Sequence, residues 1–62
     1  MNKTSKATRV TLTSKRGYEE EFKRESLSDE WTWMHDGSTV SVLTINNWLR
    51  DAQRNNRQWS VS

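Results

Sequence analysis

Acid–base catalysis needs two titratable groups that converge in a pocket from which water is excluded. The chain carries carboxylates at Glu19, Glu20, Glu21, Glu25, Asp29 and Glu30, set beside Lys23 and Arg24 or within turn-forming stretches, and such a run reads as a solvated face. The one histidine, His35, adjoins Asp36-Gly37 and is expected at an exposed hairpin tip, without a second histidine for metal chemistry. There is no cysteine, so neither a disulfide nor a thiolate zinc site can staple the fold. Two glycines, Gly17 and Gly37, do not make a phosphate-cradling loop, and eight serines lack a base and an orienting acid at matching spacing. We therefore expect no catalytic residue, no metal and no cofactor: a non-enzymatic protein.

Binding chemistry is better supplied. Residues 1–17 carry Lys3, Lys6, Arg9, Lys15 and Arg16 with no acid, a net charge of +5. Residues 18–36 hold seven acids against Lys23 and Arg24, a net −5, and residues 37–62 hold Arg50, Arg54 and Arg57 against Asp51, a net +2. A chain basic at both ends and acidic in its middle would orient on a polyanion. Lys15, Arg16, Asn46, Asn47, Arg50, Gln53, Arg54 and Arg57 are the candidate nucleic-acid contacts. Carboxamides can pair with adenine edges, and arginine with guanine or with phosphate. The reading is a small regulatory or accessory protein that binds DNA rather than RNA. The alternative is an inhibitor or adaptor of the kind carried by phages or mobile elements. It would dock on a host protein through the acidic Glu19, Glu20 and Glu21 and through Trp59, an aromatic in the polar tail. A homodimer sharing tryptophan faces is a third arrangement.

These side chains must be positioned by short elements. Arg9 to Thr13 alternates apolar and polar residues and predicts a strand. Ser14-Lys15-Arg16-Gly17 predicts a three-residue hairpin turn with Gly17 left-handed, which sets Val10 opposite Phe22 and Thr11 opposite Glu21. Tyr18 to Arg24 fits either a strand or, from Tyr18 and Phe22 four apart, a helix; the turn before it favours the strand. A second hairpin is expected around Asp36-Gly37 as a two-residue type I′ turn, pairing Trp33 with Val40 and Trp31 with Val42. Thr44 is the expected N-cap of a helix whose Ile45, Trp48, Leu49 and Ala52 form one apolar stripe, ending at Asn55-Asn56. The face pattern buries Trp31, Trp33 and Trp48, while Trp59 and Val61 alternate as an edge strand or a flap.

The expected architecture is α+β: a three- to four-stranded antiparallel meander with one C-terminal helix across its tryptophan face. A basic arm over residues 1–8 is expected to be disordered, with a single domain over 9–55 and a tail over 56–62. Val40 to Leu49, with Val40-Ser41, Thr44-Ile45 and Trp48, resembles the recognition helices of the helix-turn-helix class, which would imply an all-helical fold instead. With 62 residues the radius of gyration should be about 11 Å, with little room for a deep cavity. No apolar run approaches a membrane span and no signal peptide is visible, so a cytoplasmic location is expected.

Overall fold

The computed structural model describes residues 4–62, and Lys3 of the expected arm lies outside them. The fold is α+β. It consists of β1 (Arg9–Thr13), β2 (Glu19–Lys23), β3 (Trp31–Trp33), β4 (Thr39–Val40), α1 (Val42–Arg54) and β5 (Trp59–Val61). The strands form one antiparallel sheet in the order β4-β3-β2-β1-β5. The helix crosses between the two edge strands and packs mainly over β1 and β5. The radius of gyration is 10.7 Å.

The first hairpin forms as its sequence predicts. Val10 pairs with Phe22 and Thr11 with Glu21. The turn is closed by Ser14 N–H donating to Tyr18 O (2.8 Å) and Gly17 N–H to Ser14 O (2.9 Å), with Gly17 at φ 87°. Only glycine takes that conformation without steric cost. The segment after it is a strand, and Trp59–Val61 is an edge strand that adds to β1 with Val10 beside Val61 and Leu12 beside Trp59.

The second hairpin departs from expectation. Trp31 pairs with Val40, and Thr32 with Thr39. A type I′ turn needs positive φ at both central residues. Here Gly37 has it (φ 79°) and Asp36 does not. Instead the Asp36 carboxylate accepts from Ser38 N–H (2.9 Å), and the loop widens to residues 34–37, closed by Trp33 N–H to Ser38 O and Gly37 N–H to Trp33 O (both 2.8 Å). The register therefore slips by two, an even number, so Trp31 and Val40 still share the inner face.

Freed from that pairing, Val42 opens the helix. Ser41, not Thr44, is the N-cap: its backbone is extended and its Oγ accepts from Thr44 N–H (3.2 Å). The helix ends where expected. Asn56 is left-handed (φ 58°), with Asn56 N–H donating to Gln53 O (3.3 Å) and Arg57 N–H to Ala52 O (2.8 Å), the paired closure of a Schellman motif. The β strands at Trp31–Trp33 and Thr39–Val40 overturn the all-helical arrangement.

The core consists of Ala7, Val10, Leu12, Phe22, Trp31 and Ile45, with Leu49 and Ala52 buried along the helix. One buried charge completes it. Arg24 continues the β2 alternation onto the inner face, two residues after Phe22. Its Nε donates to Ala7 O (2.8 Å), its Nη2 to Thr4 O (2.8 Å) and its Nη1 to Asp29 O (3.4 Å), and the guanidinium lies 4.4 Å from the centre of the Trp31 ring. Thr4 and Ala7 are thereby buried against the sheet, so residues 4–7 form a packed turn rather than a loose arm.

Candidate functional site

The helix covers the β1–β5 side of the sheet, and beyond the buried Phe22 and Trp31 the inner face opens toward the first hairpin around Glu20 and Trp33. The floor there is a chain of rings. Phe22 stacks on Trp33 (centroids 6.3 Å, planes 22° apart), Trp48 tilts onto Phe22 (5.7 Å), and His35 lies 5.0 Å from Trp33. Trp48 and Tyr18 rise from the helix and the hairpin as partly exposed walls, 43% and 67% accessible. Together these residues line an open groove of about 750 Å³, a volume within the range of ligand and side-chain clefts.

Strand alternation decides which charges reach it. Glu20 shares the inner face with Tyr18 and Phe22 and lines the groove. Glu21 faces the opposite side of the sheet, where it pairs with Arg9 (3.3 Å). The three glutamates expected to act together are thus divided between two faces. At the helix wall Arg57 binds Asp51 through Nη2 and donates from Nε to Thr13 O (3.0 Å). That hydrogen bond from Arg57 lowers the Asp51 carboxyl pKa below its usual value against some opposing burial, with further electrostatic help from Arg57, Lys15 and Arg54. Asp36 is lowered as well, by its hydrogen bonds from Ser38.

The nucleic-acid candidates do not form one surface. Lys15 and Arg16 sit exposed on the hairpin tip, while Asn47, Arg50 and Arg54 are exposed along the outer helix. Arg57 is turned inward as described. The Asn46 Oδ1 accepts from Thr4 Oγ1 (2.7 Å), tying that carboxamide to the N-terminal turn, and Gln53 is half-buried beside a second open hollow of about 720 Å³. Trp59 and Glu19 also line that hollow, and Glu19 reaches the rim of the aromatic groove. The groove thus gathers Lys15, Arg16, Glu19, Glu20 and Arg57 from both candidate sets.

The sequence reading missed the exposure of Trp48. Trp48 falls at the margin of the apolar stripe, whereas Ile45, Leu49 and Ala52 at its centre are buried. Trp33 is only half-buried. Among the described residues no group of three or more His, Cys, Asp or Glu side chains is placed to hold a metal ion, and no helix is long and apolar enough to cross a membrane. No protein-family model matches the chain, and no curated protein or solved structure shows significant similarity to it.

Proposed function

We propose that this chain is a small non-enzymatic protein-binding module, an adaptor or inhibitor that docks on a partner protein through its aromatic groove. The observation that carries this reading is the exposure of Trp48 and Tyr18 and the half-burial of Trp33 around the buried Phe22 ring, in a protein with few large apolar residues. Tryptophan and tyrosine dominate binding energy at protein interfaces because they bring large, rigid area at low entropic cost. The docking determinants are then Trp48, Trp33, Tyr18 and the rim residues Glu19 and Glu20, rather than the continuous acidic run.

DNA binding through the outer helix is the second reading, favoured by the exposed stripe Asn47, Arg50 and Arg54. It has less to draw on, since Arg9, Arg24 and Arg57 spend their charges on contacts within the fold.

Selection from a random peptide library displayed on phage tests the proposal. Enriched peptides should bind the wild-type protein and lose at least about tenfold in affinity to Trp48→Ala, the scale of an interface anchor, with no loss to Arg50→Ala combined with Arg54→Ala. Enrichment indifferent to Trp48 would overturn it. So would tight binding of random duplex DNA whose salt slope collapses in the double arginine variant.

A further inference from the structure

The groove holds a carboxylate among its rings. Glu20 lies between Tyr18 and Phe22 on the inner face of β2, opposite Leu12 on β1, and Trp33, His35 and Trp48 line the same groove. Among the described residues the ion pairs are Arg9–Glu21 and Arg57–Asp51, and Glu20 is in neither. Lys15, Arg16 and Arg57 also line the groove, but among the described residues none of them forms an ion pair with Glu20. Arg57 is held on Asp51, and Lys15 stands close enough to Asp51 to help lower its pKa. Arg16 is exposed on the hairpin tip.

Electron-rich ring faces around a carboxylate attract a cation twice, through the ring quadrupoles and through charge. From this geometry we infer that the groove receives a cationic side chain of the partner, and specifically the guanidinium of an arginine. A guanidinium is flat, stacks on aromatic faces and meets a carboxylate through two parallel N–H donors, which an ammonium cannot do. The same sheet already seats one guanidinium on an aromatic face, Arg24 4.4 Å from the centre of Trp31, there with backbone carbonyls as acceptors. The half-buried Trp33 ring and the exposed Trp48 ring offer a second aromatic surface. This inference rests on the groove being the docking site and adds the chemistry of what enters it.

The test uses capped tripeptides, acetyl-Gly-X-Gly-amide, with X as arginine, its neutral isostere citrulline, lysine or trimethyl-lysine. Each is titrated into the ¹⁵N-labelled full chain at millimolar concentration while the indole N–H signals of Trp33 and Trp48 are followed. The arginine peptide should shift both indoles saturably. Citrulline should bind about tenfold more weakly, and Glu20→Gln should cost the arginine peptide a similar factor. Glu25→Gln, on an exposed loop, should change nothing. Equal binding of arginine and citrulline, or an unaffected Glu20→Gln whose spectrum is otherwise native, overturns the cation site. Tighter binding of lysine or trimethyl-lysine overturns the guanidinium assignment. If library-selected peptides still require Trp48 in either case, the docking groove stands and only its cation chemistry falls. If they do not, both fall.

Discussion

Replacing Arg24 with alanine removes a charged fork that ties the N-terminal turn and the loop at Asp29 to the sheet. Two of its hydrogen bonds are short, to Ala7 O and Thr4 O at 2.8 Å, and the third, to Asp29 O, is marginal at 3.4 Å. Hydrogen bonds from charged donors contribute about 1.5–3 kcal/mol each, and a buried acceptor left unpaired costs a comparable amount. Water can reach part of the vacated site, so about 3–5 kcal/mol is the expected loss, including the contact with Trp31. That equals the whole stability a lone core of this size supplies, about 3–5 kcal/mol. Arg24→Ala should therefore be largely unfolded at room temperature. Arg24→Lys keeps the charge but not the fork. A loss of about 2 kcal/mol should lower its Tm by about 8–16 °C. All three acceptors are neutral backbone carbonyls, so the deficit should be equal at about pH 4 and about pH 8. Thermal melts followed by tryptophan fluorescence read these shifts against Arg50→Ala, an exposed control. A Tm for Arg24→Ala within a few degrees of that control would refute the clamp.

Three further substitutions bear on the helix and its closing turn. Ser41→Ala should cost about 1 kcal/mol in urea unfolding, the usual worth of an N-cap. Thr44→Ala should cost less, since the backbone N–H of Thr44 is the group being capped; the reverse order would restore Thr44 as the cap. Asp51 has its folded pKa lowered below the ordinary 3.8, chiefly by the hydrogen bond from Arg57. Its contribution is therefore complete above that value and is lost as pH falls through the lowered folded pKa. Asp51→Asn should flatten the acid limb of a Tm-against-pH curve without abolishing it, because Asp36 is lowered too, by Ser38. An unchanged acid limb would show that the Asp51–Arg57 contact adds nothing to stability.

Agreement between a turn signal and a face pattern does not by itself fix a register, because a slip of two residues leaves the faces unchanged. In the first hairpin, the glycine position and the alternation of Val10 and Leu12 specify the same register, and the structure has it. In the second, Asp36-Gly37 matches a two-residue turn equally well, and the choice turns on one side-chain acceptor. Asp36 takes the Ser38 N–H, the loop widens, and Val42 passes from the strand to the helix. The burial of Arg24 was legible in principle. A β2 strand that puts Phe22 inward must put residue 24 inward too, but a basic residue in a charged run invites a solvent assignment. The groove had no local signature. It exists because α1 lies over β1 and β5, an offset set by the β5 crossover and invisible to any pattern within the helix.

That offset has an energetic consequence that bears on function. Aromatic side chains present about 150–250 Å² each, so leaving Trp48 43% and Tyr18 67% exposed forgoes about 200 Å² of burial. At about 25 cal/mol per Å² this is about 5 kcal/mol as an upper bound, comparable with the stability of the entire domain. Small changes would recover much of it, for instance a helix displaced toward β3 or a polar residue in place of Trp48 with the hairpin folded over. A chain selected for stability alone would be expected to take one of them, whereas one that must present rings to a partner forgoes that burial in the free state and regains it on binding. The same reasoning predicts which side of the molecule should gain protection. On complex formation, hydrogen exchange should slow along β2 and the C-terminal half of α1, beside the groove, and should be unchanged at the outer-face residues Thr32 and Thr39. Protection confined to the outer helix stripe of Asn47, Arg50 and Arg54 would instead place the partner on the opposite surface.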